Sequence, residues 1–276
     1  MAGKLFVVGT PIGNLSDFSP RAIKTLSECD FIAAEDTRVT VKLLNHFDIR
    51  TPMISYYEHN KRSKGDIIIK RILDGENCAI VTDAGMPAIS DPGEDLVDLA
   101  HKNGITVESV PGPTAFATAM AISGINSGRF TFEGFLSVNK QSRREHLEEV
   151  KCEKRTMIFY EAPHKLAATL RDMYNAFGDR NIAIIKELTK LHESVERTTL
   201  SQASEKYGED TSIKGEFVLI IEGARLEEQP ELSFEDAVEL AKKLVENGTG
   251  MNDAAKQLAK DTGFKKSDIY KALLED

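Results

Sequence analysis

The sequence predicts an α/β protein: two α/β domains with a cleft between them, followed by a small all-α helix-turn-helix. Three observations carry this. Short β-branched runs alternate with amphipathic helical patterns through residues 1–223. Three of those runs end in loops rich in Gly and Pro that then open into helices, at residues 9–14, 83–93 and 110–115. Beyond Pro230 the strand pattern stops and only helical spacing remains. Such alternation implies a mostly parallel sheet with helices on both faces, and ligands of these sheets bind outside the carboxyl ends of the strands.

Taken in order, residues 5–8 form a buried strand. Ser19 and Pro20 supply an N-cap and a first-turn proline to a helix with Ala22, Ile23 and Leu26 as its apolar face. Residues 31–34 are a second strand, ending in Glu35-Asp36. Val41, Leu44 and Phe47 mark a helix, 53–56 a short strand and 67–73 another helix. Residues 79–81 read as a central strand and 105–110 as the last of this group. Small apolar residues over 114–123 suit a tightly packed helix, and 124–129 a link. New strands follow at 130–135, 156–160, 182–186, 195–200 and 217–222. The tail has helical spacing at 234–245, 254–259 and 269–274, with Gly263 in the last turn. The expected domains are 1–113, 114–224 and 230–276, with a polar linker at 225–230.

The bulk properties exclude several classes. The 276 residues carry a net charge of -9, which argues against a general nucleic-acid binder while leaving room for a local basic face. Cys29, Cys78 and Cys152 are odd in number with no C-x-x-C pair, as expected of reduced thiols in the cytoplasm. The six histidines lack metal-ligand spacing, so no metal is expected. The N-terminus reads without a signal peptide, and no apolar stretch is long enough to span a bilayer, so no membrane association is expected.

The junctions carry the chemistry. Gly9-Thr10-Pro11-Ile12-Gly13-Asn14 is neither a dinucleotide fingerprint nor a Walker loop, and Pro11 removes a donor that a phosphate cradle would use. It suits an adenosine or methionine moiety, or is a plain tight turn. Asp83 ends a strand, where its carboxylate faces the ligand crevice or caps its own loop. Asp91-Pro92-Gly93 starts the next helix. Glu35-Asp36-Thr37-Arg38 reads either as an N-cap with a surface ion pair or as a substrate-facing cluster, with Asp36 as base and Arg38 as phosphate contact. Tyr160-Glu161 and Lys186-Glu187-Leu188 end two strands of the second domain. Lys140, Arg143 and Arg144 belong to a run that reads as a solvated helix with a possible RNA-facing end, and Lys61, Arg62 and Lys64 form a smaller basic cluster.

The segments LFVVGTPIGNLSD, FIAAEDTR, IVTDAGMPAISDPG, VPGPTA, EGF, FYEAPH, KELTK and GEFVLIIEG, in this order, closely resemble the RsmI-type ribosomal RNA methyltransferases of the tetrapyrrole-methylase superfamily. The resemblance runs from about Leu5 to Gly223. It implies a homodimeric enzyme that holds S-adenosyl-L-methionine between two α/β domains. The implied reaction is 2′-O-methylation of a cytidine in the decoding region of small-subunit (16S) ribosomal RNA. Carried onto this sequence, Thr10, Pro11, Asp83, Ala84, Gly85, Ile89, Thr114, Ala115, Tyr160, Glu161 and Leu188 would line the cofactor. Met86 stands where threonine is common in the family: a ligand contact through that hydroxyl would be lost here, whereas a contact through the backbone alone would be kept.

Methyl transfer from a sulfonium needs no metal and no acid, so catalysis rests on in-line positioning with modest help from a base. Asp36 is the base candidate and Arg38 the RNA-positioning residue, with Lys186 and Glu187 as alternatives. Two competing readings are a tetrapyrrole C-methyltransferase and a ligand-sensing nucleic-acid-binding regulator. The basic clusters and tail favour RNA over a tetrapyrrole. The acids of the tail argue against strong duplex binding.

Overall fold

The computed structural model describes residues 2–209, 212–224 and 233–274; the expected linker at 225–230 lies outside them. The chain divides into two compact units, Met1–Ala224 and Arg225–Asp276.

The first unit opens with β1 (Lys4–Val8), α1 (Pro20–Glu28), β2 (Phe31–Ala34), α2 (Thr37–His46), β3 (Met53–Ser55), α3 (Lys61–Leu73), β4 (Cys78–Val81), α4 (Gly93–Lys102) and β5 (Thr106–Val110). These strands pair in the order β3-β2-β4-β1-β5, all parallel. Successive strand residues point to opposite faces, and both faces are covered. Phe31, Ala33, Cys78 and Ile80 pack with Ile68, Ile72 and Leu96 on one side. Ile32, Ala34, Ala79 and Val81 pack with Ala22, Leu26 and Leu44 on the other. Two-sided burial is why these strands read as continuous apolar runs rather than alternating ones. Ser19 caps α1 by accepting a hydrogen bond from the Ala22 amide. Helix α3 starts six residues before its apolar pattern. Its first turns are polar, and Gly65 there lies close to Leu99, where an added Cβ would be 3.3 Å from that side chain.

A second sheet follows: α5 (Ala115–Ser123), β6 (Phe130–Phe135), α6 (Lys140–Glu149), β7 (Thr156–Glu161), α7 (Leu166–Phe177), β8 (Asn181–Lys186), β9 (Ser194–Thr199), α8 (Leu200–Glu209) and β10 (Phe217–Ile221). Its order is β6-β7-β10-β8-β9. Only β6 and β7 pair in parallel; β10 runs antiparallel to both its neighbours, and β9 to β8. Met157, Phe159, Ile182, Ile184, Leu219 and Ile221 meet α6, α7 and α8 on one face. Ile158, Ile185, Val218 and Ile220 meet Ala119 and Met120 of α5 on the other, where Ile12 from the loop after β1 joins them.

The second unit contains α9 (Phe234–Glu246), α10 (Met251–Thr262) and α11 (Lys266–Leu274). Ala241, Ala255, Leu258, Ile269 and Leu273 form its own small core. Helix α10 stops at Gly263, whose φ of 77° is the left-handed conformation that ends helices. Among the described residues no helix is long and apolar enough to cross a membrane.

Candidate active site

The loops after β1, β4 and β5 meet at the carboxyl edge of the first sheet. Gly9 and Gly112 touch backbone to backbone, so that a Cβ on Gly9 would stand 2.7 Å from the Gly112 Cα. Thr10 and Gly85 exchange two main-chain hydrogen bonds of 2.9 and 3.2 Å. Gly85 holds a φ of 90°, which favours glycine. The buried Thr10 hydroxyl also donates to the Thr82 carbonyl at 3.2 Å. Gly13 packs on Leu188, Thr189 and Lys190, tying this loop to the turn after β8.

A cavity of about 500 Å³ opens between these loops and the second sheet. From the first sheet come Ile12, Glu35, the stretch Thr82 to Met86, and Ile89, Ser90 and Asp91. Thr114 and Ala115 contribute the start of α5. From the second sheet come Phe135, Tyr160 to Pro163, Leu188 and Glu216 to Val218. A bulge in β6 between Phe132 and Gly134 re-aims the strand, and the Phe135 ring meets the Tyr160 ring edge-on at 5.3 Å. A second hollow of about 400 Å³ shares Glu35, Ile89, Ser90 and Asp91 with the first and adds Glu58 and Glu94.

The charged side chains on both walls are all carboxylates: Glu35, Asp83, Asp91, Glu161 and Glu216 in the main cavity, and Glu35, Glu58, Asp91 and Glu94 in the hollow. Their partners differ. Glu35 accepts from the Thr82 hydroxyl at 2.5 Å. Asp91 accepts from the amides of Ala88 and Gly93, which fixes the entry to α4 and holds Ala88 at a φ of 66°. The Glu161 side chain is fully buried, paired with Lys165 at 2.9 Å and bonded to the Thr169 hydroxyl and the Ala162 amide. Asp83 accepts from the Asp36 amide at 3.2 Å, and burial together with the Glu35 charge raises its pKa above the usual carboxylate range. Burial likewise raises the Tyr160 phenol, whose oxygen accepts from the Phe116 amide at 2.9 Å and so braces the start of α5.

Of the residues singled out from the sequence, Asp83, Ala84, Gly85, Ile89, Thr114, Ala115, Tyr160, Glu161 and Leu188 lie on the cavity wall. Thr10 stands behind the wall as a clamp, and Pro11 is not on it. Asp36, Arg38, Lys186 and Glu187 are not on it either. Asp36 is the N-cap of α2, and its carboxylate is gripped by the Arg38 guanidinium at 2.7 to 3.2 Å, which holds its pKa down at about 2. The Arg38 side chain is otherwise 88% exposed. Lys186 ends β8. Glu187, at a φ of 51°, accepts from Lys190 and from the Glu216 amide at 3.0 Å each. Burial pushes its pKa up, but Lys190, the amide and Lys186 outweigh that and lower it. Arg143, read as RNA-facing, is instead buried against Asp172 at 2.7 and 2.8 Å. Sequence reasoning missed Ile12, Phe135, Pro163, Phe217 and Val218, because an apolar cavity wall has the same residue pattern as a core. Glu216 carried no signal beyond its place before β10.

Known proteins place this architecture. The family described as Tetrapyrrole (Corrin/Porphyrin) Methylases matches residues 4–204. The chain is 48% identical to the ribosomal RNA small subunit methyltransferase I of Halalkalibacterium halodurans, covering 97% of this chain and 93% of that one. It is 44% identical to the protein of that name from Synechocystis, covering 99% and 98%. Among solved structures, diphthine synthase aligns with a TM-score of 0.63 at 12% identity, over 80% of this chain and 90% of that one. The uroporphyrin-III C-methyltransferase of Thermus thermophilus, solved with S-adenosylhomocysteine, aligns at 0.56 and 14% identity, over 80% and 97%. The fold is that of these enzymes, and the chain belongs to the tetrapyrrole methylase family, on the branch of the ribosomal RNA small subunit methyltransferases I.

Proposed function

We propose that this protein methylates the 2′-hydroxyl of a cytidine in the decoding region of small-subunit ribosomal RNA, with S-adenosyl-L-methionine as donor. In this reading it acts in the cytoplasm as a homodimer, and its two sheets are two α/β domains meeting near residues 113 and 114. The observation that carries the reading is the charge of the cavity. Its walls combine apolar and aromatic side chains with carboxylates, and among the described residues no lysine, arginine or histidine lines it. A phosphorylated nucleotide would meet like charge at Glu35, Asp83 and Asp91, while Glu161 and Glu216 are already paired with Lys165 and Lys190 at 2.9 Å each. A nucleoside bearing a sulfonium and an ammonium group meets opposite charge and the faces of Phe135 and Tyr160. The volume is in the range of small-molecule sites.

When bound, the donor supplies a methyl group on a positively charged sulfur that leaves neutral. The chain's own residues do the rest. The Thr10–Gly85 bridge and the Gly9–Gly112 contact fix the three loops before any ligand arrives, so little reorganisation is needed. The apolar side chains exclude water. Asp36 remains the base proposed for the ribose hydroxyl, with Arg38 positioning RNA and Lys186 and Glu187 as alternatives. In its clasp with Arg38 the Asp36 carboxylate binds a proton weakly. An RNA phosphate that draws Arg38 away would restore its basicity at the moment substrate docks. What supports RNA over a tetrapyrrole acceptor is that the relatives at 48% and 44% identity are ribosomal RNA methyltransferases.

The test is transfer of labelled methyl to small ribosomal subunits lacking the modification, with the product nucleoside identified. Label on 2′-O-methylcytidine is the expected result. Donor binding without label on any ribosomal substrate would overturn the reading.

A further inference from the structure

The connection from β8 to β9 departs from relaxed backbone at two places. Glu187 has a φ of 51° and Thr189 a φ of 65°, left-handed values that cost free energy in any residue with a side chain, most of all a β-branched one. Both flank Leu188, which lines the cavity. Closing the connection does not by itself demand this. It runs over residues 187–193, beyond the roughly two to five residues of most hairpin loops. The fold gains no hydrogen bond from the Thr189 side chain either, since its buried hydroxyl has no partner among the described residues.

Strain of this kind persists only where the surroundings over-determine it. Here Lys190 gathers those surroundings. Its ammonium donates to the Glu187 carboxylate at 3.0 Å and to the Glu216 carboxylate at 2.9 Å. Its amide donates to the Glu187 carbonyl at 3.0 Å, which closes the turn around Leu188. Glu187 is tied to Glu216 a second time, because its amide donates to the Glu216 carbonyl at 2.9 Å and its carboxylate accepts from the Glu216 amide at 3.0 Å. From the first sheet, the loop after β1 presses on the same turn: a Cβ on Gly13 would stand 2.7 Å from Lys190 Cγ and 2.8 Å from Thr189 Oγ1. Glycine would adopt the angles of residues 187 and 189 freely, and would leave them as freely. Side chains at both places, locked by Lys190, hold the turn in one conformation.

We propose that Lys190 is a positioning residue for the methyl donor: by bridging Glu187 and Glu216 it keeps the strained turn closed, so that Leu188 stands ready on the cavity wall before the donor arrives. This rests on the donor reading of the cavity. Lys190 itself is not on the wall and acts through Leu188. The gain is affinity, because a turn already in its bound form loses no freedom on binding. Lys190 has one other route to the site, since it neutralises Glu216, which is on the wall. That route works on charge. It would act on the cationic donor and hardly at all on S-adenosylhomocysteine, whose sulfur is neutral.

The experiment measures binding of S-adenosyl-L-methionine and S-adenosylhomocysteine by calorimetry, together with methyl transfer to small subunits, for the full chain and three variants. Lys190→Met should weaken both ligands alike, by about tenfold, with kcat within about twofold and the KM for subunits unchanged. Lys190→Arg can still bridge two carboxylates and should restore both affinities to within about threefold of wild type. Thr189→Gly alters no charge and removes no side-chain hydrogen bond. It should melt no lower than wild type, since relief of strain offsets the added freedom of the unfolded chain, yet weaken both ligands by about fivefold. Unchanged affinities in Lys190→Met and Thr189→Gly overturn the proposal. Tighter binding of the cationic donor by Lys190→Met, with S-adenosylhomocysteine unaffected, also overturns it and assigns Lys190 to charge. Affinity that falls only in step with the melting temperature, in Thr189→Gly as in Lys190→Met, marks a merely structural turn and overturns it too. Should Lys190→Met fail to fold, Thr189→Gly decides alone. Wild-type protein that binds neither ligand defeats the donor reading instead, which keeps the two failures apart.

Discussion

Asp36 and Asp83 are joined by one hydrogen bond yet hold protons with opposite strength. Arg38 pulls the first down to about 2, while burial and Glu35 push the second up. Both tendencies bear on catalysis and can be measured. Asp36→Asn keeps an N-cap for α2, so folding and donor affinity should hold, while kcat should fall by about a hundredfold if Asp36 takes the ribose proton. An unchanged kcat with both substrates bound removes it from that role. Asp83 attracts a cationic donor only when ionised. Donor affinity should therefore fall as pH is lowered, beginning above the ordinary carboxylate range because the Asp83 pKa is raised. Calorimetric titration of the donor between pH 4 and 7 reads this, and a flat profile excludes the contact. At this scale the sequence was legible where glycine, proline and an acid end a strand, as at Asp83 to Gly85. It was silent where a wall residue is simply apolar, as at Val218. It was ambiguous at Asp36, whose cap and catalytic readings share one position.

Among the elements, α6 shows how far a polar pattern can mislead. Six of its ten residues are Lys, Arg or Glu, yet Arg143 turns inward and reaches Asp172 of α7, with side chains 10% and 9% exposed. Arg143 also donates to the Ser137 carbonyl. Arg143→Ala leaves a buried carboxylate alone and should destabilise the protein by about 3–5 kcal/mol, whereas the joint change Arg143→Met with Asp172→Leu should be close to neutral. Denaturant unfolding of the three proteins decides it, and equal losses in single and double variants would show the pair to be no unit. Strand positions were largely readable, since β2 and β6 begin and end where their β-branched and aromatic runs do. Strand direction was not. The runs in β8 and β10 are buried on both faces, and nothing in IAII or FVLII says which way a neighbour runs. The early start of α3 was hidden because its first turns, Lys61 to Asp66, are polar and carry no apolar spacing.

For the molecule as a whole, the alternation of elements was enough to announce two layered sheets and a helical tail, while the antiparallel half of the second sheet emerged only from the pairing. That pairing has a consequence for synthesis. Strand β10 is the centre of its sheet but the last of its strands in the chain. A nascent polypeptide that has emerged as far as residue 209 already contains β6 to β9, yet it lacks the strand that joins β6-β7 to β8-β9. Until Phe217–Ile221 arrives, β7 and β8 each present an open, apolar edge of the kind that invites pairing with another chain. The first sheet can close once residue 110 is out, but the second waits for almost the whole of its unit. A ribosome that stalls in between holds a half-built protein whose exposed edges match those of every other chain stalled at the same place.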